Sequence, residues 1–259
     1  MDSEAGRFSV AGKRVVVTGG SRGIGLMVAR GFVEEGAEVV VASRDAAACE
    51  AAAAELGERC AAVPADLGSE EGTAALVAAV GERWGALDVL VNNAGAVWAA
   101  PLEEYPLAAF DKLWRVNVRG VFALTQGLLP ALRAAATPDD PARVVNVGSI
   151  DGLRVPFFDN YAYSASKAAV HMLTRHLAAD LAAEAIAVNA IAPGPFRSKM
   201  MAAVLDDERT GAEIRAKIPL GRLGAPADAA GMAIFLAGPA AAWVTGAVIP
   251  LDGGVSLRD

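Results

Sequence analysis

Histidine and cysteine each occur only twice in the 259 residues, and tyrosine three times. Cys49 and Cys60 fall in and just beyond one Ala-rich stretch, too few for a disulfide framework and in keeping with free thiols in a reduced, cytoplasmic protein. His171 and His176 stand close together without a glutamate motif of the HExxH kind, so surface or core imidazoles are expected and no metal site. Positive charge is short too: 23 Lys and Arg against 30 Asp and Glu leave a net charge of −7. That balance argues against a nucleic-acid partner. The opening MDSEAGRFSVAGKR has early acids and no apolar run, so no secretory leader is expected. Residues 229–251 carry no charge, long enough to suggest a bilayer span. Gly238-Pro239 breaks that stretch in the middle, and Gly246 and Pro250 break it again. A buried helix ending near Ala237, a turn and a short strand in VTGAVIPL are expected instead, with no membrane partner.

What is present is apolar: 54% of the chain, enough for a sizeable core. Val/Ile/Ala-rich runs at 14–20, 37–43, 60–67, 87–95, 143–149 and 185–193 read as strands. Between them, 25–36, 45–57, 69–85, about 106–133 and the stretch to 184 read as helices, with Gly36 and Gly57 as stops and Ser69 before two acids as a start. Continuous apolar strands separated by helices mean a parallel sheet covered on both faces. With no repeat or low-complexity linker, one doubly wound α/β domain over 1–259 is expected.

The first strand runs into TGGSRGIG (18–25). Gly19, Gly23 and Gly25, with Ser21, Arg22 and Ile24 among them, can turn tightly, admit a ligand to the backbone and let helix pack close to strand. The helix start offers free N–H groups to a pyrophosphate. Lying between the first strand and first helix of a βαβ unit, the motif implies dinucleotide binding. At the end of the second strand an acid would bind the ribose 2′-hydroxyl of NAD, whereas an arginine accommodates the 2′-phosphate of NADP. Here Ser43-Arg44 stands at that end and Arg22 in the turn, two guanidiniums that favour NADP(H). The alternative is a solvated Arg44, with neighbouring Asp45 on the ribose of NAD.

YAYSASK (161–167) opens an Ala-rich helical segment. Tyr163 and Lys167 lie one turn apart, about 40° round the helix, so their side chains can meet. Tyr161 is about 120° away and cannot easily share that face. If one tyrosine works with the lysine, it is Tyr163.

TGGSRGIG, NNAG (92–95), Asn117, Ser149, YSASK (163–167) and PG (193–194) occur in this order. Together they resemble the short-chain dehydrogenase/reductase family over essentially the whole chain, to the closing DGG (252–254). The chain is most similar in appearance to bacterial NADPH-dependent 3-oxoacyl reductases of the rhamnolipid-pathway type. The resemblance implies a single Rossmann-type domain with a parallel seven-stranded sheet and helices on both faces, a nicotinamide cofactor and a homotetramer. It implies Asn117, Ser149, Tyr163 and Lys167 as the catalytic set. Reducing a ketone with hydride leaves an alkoxide that needs a positioned acid. A phenol beside an ammonium can serve, because the cation favours the phenolate. Ser149 would hydrogen-bond the carbonyl oxygen. Asn117, through side chain or backbone, would anchor a water, and Lys167 would also hold the nicotinamide ribose. By the same resemblance Asn93, Ala94 and Gly95 pass beside the adenosine ribose and Asp66 and Leu67 flank the adenine. Pro193, Gly194 and Phe196 would cover the carboxamide, with Ser198 where the family often has threonine.

Substrate choice is expected from AVWAAPLEEY (96–105), DGLRVPFFDN (151–160) and the segment 195–211, the last a mobile lid. Phe157, Phe158, Phe196, Met200 and Met201 make these apolar, suiting an acyl thioester or a hydrophobic ketone better than a sugar. Arg115, Arg119 and Arg154 are the candidates for docking an acidic acyl carrier. A dehydrogenase of hydrophobic secondary alcohols or cyclic ketones is the enzyme alternative, and a non-catalytic NADP-binding regulator on the same fold is the other.

Overall fold

A computed structural model describes residues 6–197 and 208–257. Seven strands, β1 (Arg14–Thr18), β2 (Glu38–Ser43), β3 (Cys60–Pro64), β4 (Val89–Asn92), β5 (Ala142–Val147), β6 (Ile186–Pro193) and β7 (Val248–Leu251), form one sheet in the order 3-2-1-4-5-6-7. Every pairing is parallel. Alternation along each strand divides the core in two. Val15, Val17, Val39, Val41, Val89 and Val91 face α1 (Gly23–Glu34), α2 (Ala46–Leu56) and α8 (Pro226–Ala237). Val16, Val40, Leu90, Val144 and Val188 face α3 (Glu70–Trp84), α5 (Gly120–Ala135) and α6 (Tyr161–Leu181). This is the doubly wound Rossmann-type arrangement, with helices on both faces. Among the described residues no helix is long and apolar enough to cross a membrane, and 229–251 divides into α8, a turn and β7 as expected.

Three expectations shift. The rod expected over 106–133 is α4 (Leu107–Trp114), a π-helical turn (Arg115–Arg119) and α5 in succession, and the wide turn carries Asn117. Such turns gather at functional sites, because the extra residue re-aims its neighbours. β3 stops at Pro64, so Asp66 and Leu67 lie beyond the sheet. VTGAVIPL pairs only from Val248, after Gly246 has turned with φ +75°. A short helix, α7 (Glu208–Ala216), closes the segment in which a lid was expected; residues 198–207, with Ser198, Met200 and Met201, lie outside the described residues.

Candidate active site

Strand order reverses between β1 and β4, which opens a crevice at their carboxyl ends. Thr18 closes the floor of it. Its hydroxyl donates to Val91 O (3.2 Å) and accepts from Asn93 N (2.9 Å) and Ala94 N (3.0 Å), while Asn93 Nδ2 donates back to Thr18 O (2.9 Å). Gly19 then turns with φ +64°. A Cβ on Gly25 would stand 2.3 Å from Gly19 O and 2.4 Å from Asn93 Nδ2, so only glycine fits. Arg22 stands at the N-cap of α1 in extended conformation without a capping side chain, and no acid lies in the first turn. The first N–H groups of α1 therefore face the crevice without a side-chain acceptor, the donor set a pyrophosphate needs. Ser21 and Ile24 complete the turn, half-buried.

Arg22 and Arg44 are exposed and form no ion pair among the described residues. Asp45, the alternative ribose acceptor, is committed elsewhere: its Oδ1 caps α2 by accepting from Ala48 N at 3.1 Å. Ser43 donates to Asp45 O. Exposed Asp66 accepts from Gly68 N at 2.9 Å, and half-buried Leu67 packs against the core. The residues present thus fit a dinucleotide with an extra phosphate on its ribose.

On the other wall, α6 aims Tyr163 and Lys167 inward. Lys167 Nζ lies 5.6 Å from the Tyr163 ring centroid and donates to Val147 O at 2.7 Å. Its side chain is buried, and burial lowers its pKa from 10.5 to about 8. Burial also pushes the Tyr163 phenol up to about 12; a hydrogen bond from Ser149 pulls the other way, and the Asp151 charge adds to the rise. Ser149, two residues past β5, accepts from Asp151 N (3.1 Å) and so caps a short 3-10 turn, Ile150–Gly152, as well as reaching the phenol. Tyr161 faces away, edge-on to Tyr105 at 5.5 Å, as its angular position implies.

Asn117 is buried in the π-helical turn and held by three side-chain hydrogen bonds. Its Oδ1 accepts from Ala96 N (2.8 Å), and its Nδ2 donates to Ala96 O (3.0 Å) and to Ser166 Oγ (2.9 Å). Both amide hydrogens are thereby committed, so a water relay here would have to lean on the main chain. The side chain ties the extended segment following NNAG to α6. Gly95 sits between the two, its missing Cβ 3.4 Å from Asn117 Oδ1 and 3.6 Å from Lys167 Nζ. Phe196 is buried. Its backbone is pinned in a parallel bridge to Gly224 and its ring is buried in the core beneath that glycine. Buried Pro193 ends β6, and Gly194 follows, half-buried, its N–H on Leu251 O at 3.0 Å.

Two features escaped sequence reasoning. A buried polar ladder crosses the sheet under the site: Asn92 Nδ2 donates to Thr125 Oγ1 (3.1 Å) and Asn146 Oδ1 (2.9 Å), and Asn146 Nδ2 to Thr174 Oγ1 (2.9 Å). The signal for it was an asparagine interrupting each of two apolar strands. The second is the packing of His171, buried behind the site, its Nε2 only 2.1 Å from where a Cβ on Gly148 would stand. Burial holds that imidazole neutral, its pKa lowered to about 4. His176 is exposed beside Asp180, and among the described residues no metal-binding cluster exists.

A family profile described as Enoyl-(Acyl carrier protein) reductase matches residues 19–256, from the glycine turn to the last short helix. The chain belongs to the short-chain dehydrogenase/reductase family. Members are oxidoreductases acting on carbonyl and alcohol groups, and so is this chain. Among its relatives, the rhamnolipids biosynthesis 3-oxoacyl-[acyl-carrier-protein] reductase of Pseudomonas aeruginosa is 49% identical over 96% of this chain and 98% of its own length. The 3beta-hydroxysteroid dehydrogenase 1 of Eggerthella lenta is 38% identical over 95% of this chain and 94% of its own. The solved Pseudomonas aeruginosa RhlG/NADP active-site complex superposes with a TM-score of 0.94 at 49% identity, covering 96% of this chain and 98% of that one.

Proposed function

We propose that this short-chain dehydrogenase/reductase is an NADPH-dependent carbonyl reductase whose substrate is a 3-oxoacyl thioester. The observation that carries the chemistry is the phenol of Tyr163 with Ser149 hydrogen-bonded to it and the Lys167 ammonium 5.6 Å from its ring, beside a crevice fitted for a dinucleotide. When bound, NADPH supplies the hydride. Ser149 donates to the substrate oxygen and holds it against Tyr163, and Tyr163 delivers its proton as that oxygen becomes an alkoxide. Lys167, anchored on Val147 O, favours the phenolate left behind. Asn117 positions the Ala96 segment and, through Ser166, α6. Arg22 and Arg44 take the 2′-phosphate, with Asn93, Ala94, Asp66 and Leu67 toward the adenosine and Pro193 and Gly194 toward the nicotinamide; Ser198 is assigned there by family pattern alone. The substrate class rests on the 49% identical Pseudomonas relative. Exposed apolar side chains around the mouth, Trp98, Leu102, Leu153, Phe157 and Phe158, agree with it.

A cytoplasmic homotetramer completes the reading. Phe122 on α5, Met172 on α6 and the 99% exposed Trp243 are apolar surface that partner subunits would cover. Light scattering on the purified protein tests that assembly.

The function itself is tested with 3-oxoacyl thioesters against cyclic and aryl ketones, each with NADPH and with NADH. Thioesters with NADPH should give the highest kcat/KM. Preference for cyclic ketones would move the protein toward its steroid-oxidising relative, equal kcat/KM with NADH would remove the role given to Arg22 and Arg44, and no turnover would leave a cofactor-binding regulator.

A further inference from the structure

The 151–160 loop, the segment after α7 and the C-terminal turn meet at one edge of the mouth. Ile150, Ile218 and Val255 are buried together there with Leu223 against them, and Arg154 Nη1 donates to Val255 O at 3.2 Å. On this edge the exposed ring of Phe157 carries a cation on each of two neighbours: Arg154 Cζ lies 4.1 Å and Lys217 Nζ 4.4 Å from its centroid. The two charges are thus no more than about 8.5 Å apart. That separation is about one Debye length at physiological salt, so they repel. A cation on an exposed ring recovers only part of that repulsion. Neither forms an ion pair among the described residues; Asp151 is within electrostatic reach of Arg154, but its carboxylate is held by Asn160 Nδ2 at 2.8 Å. Exposed Glu103, Glu104 and Asp159 stand elsewhere on the mouth, in a chain of net charge −7. Among the described residues, these two cations held close on a braced surface are a feature of the rim that an anion would relieve.

We infer that Arg154 and Lys217, spaced by Phe157, bind the phosphate of a phosphopantetheine arm that presents the thioester to Tyr163. The inference rests on the thioester reading above and adds the group by which the substrate is held. Arg154 lies five residues past Ser149, so its backbone is at most about 18 Å from that of Ser149. The phosphate is outside the reacting centre, and its recognition acts on substrate binding ahead of the chemical step. The arm occurs on a carrier protein and in coenzyme A, and the phosphate is common to both.

The experiment compares acetoacetyl-pantetheine with acetoacetyl-4′-phosphopantetheine, which differ by that phosphate alone, then adds the coenzyme A and carrier-protein thioesters. With the wild-type protein and NADPH, the phosphorylated arm should have a KM at least fivefold lower. Lys217→Glu should abolish that ratio and Lys217→Arg should retain it. A KM raised by Lys217→Glu for the coenzyme A thioester alone, or for the carrier thioester alone, supports the site and identifies the source. Turnover of both arms with equal KM in the wild type, or a ratio that survives Lys217→Glu, overturns the inference and leaves the thioester reading standing. No turnover of any thioester overturns both.

Discussion

The floor of the site and its rim satisfy their polar groups in different ways. On the floor, Thr18, Asn93, Asn117, Ser166 and Lys167 are locked to backbone or to one another at 2.7–3.3 Å, largely out of water. On the rim, Phe157 and Phe158 are each 46% exposed, and the cations beside Phe157 make no ion pair among the described residues. A locked floor transmits any change to the reacting atoms, whereas an open rim can be altered with local consequences. The difference separates the part of the molecule that sets the reaction from the part that selects what is reacted.

Removing the phenol oxygen is the sharpest test. Tyr163→Phe should lower kcat at least a hundredfold while the protein still quenches NADPH fluorescence on binding, since a general acid typically contributes 10²–10⁴-fold. Activity above about one per cent of wild type would place the proton elsewhere. Gly25→Ala comes next. The new Cβ meets backbone at 2.3 Å, so affinity for NADPH, measured by titration calorimetry, should fall at least tenfold with the fold retained.

Lys167 probes what the locked floor costs in stability. Its pKa is about 8 when folded and 10.5 unperturbed, so the folded state binds the proton less tightly and stability rises with pH between those values. Below pH 8 the buried charge costs about 3 kcal/mol. Lys167→Met should therefore raise Tm by at least about 2 °C at pH 7 while losing turnover, the loss of the bond to Val147 O offsetting part of the gain. A lower Tm would mean that the ammonium stabilises the fold. In the wild type, kcat/KM for reduction should fall with one-proton dependence as pH rises through about 8, because Lys167 discharges while Tyr163, near 12, keeps its proton. The smallest effect belongs to the rim: Phe158→Ala should change kcat less than threefold and raise KM mainly for long acyl chains. A large fall in kcat would erase the contrast between floor and rim.

Sequence made the floor readable because its constraints are local. A glycine turn between strand and helix needs its residues in order, and Tyr163 with Lys167 needs only a helix to meet. Elements that depend on contacts between distant segments were hidden. Nothing in WRVNVRG announces that the helix widens at Asn117, and nothing near PFR tells that Phe196 turns inward, because Gly224, which makes room for its ring, lies 28 positions later. The rim was legible in composition, as an apolar loop, yet the partnership of Phe157 with Lys217 joins residues 60 apart.

The ladder of Asn92, Thr125, Asn146 and Thr174 has a consequence for anyone reshaping this protein. Each amide serves its neighbour, so a library that randomises one rung at a time will return mostly weakened variants, the orphaned partner outweighing whatever the newcomer brings. Routes to a sturdier scaffold run through simultaneous exchange of Asn92 and Asn146, the strand neighbours, for a matched apolar pair. Progress there would come in double steps.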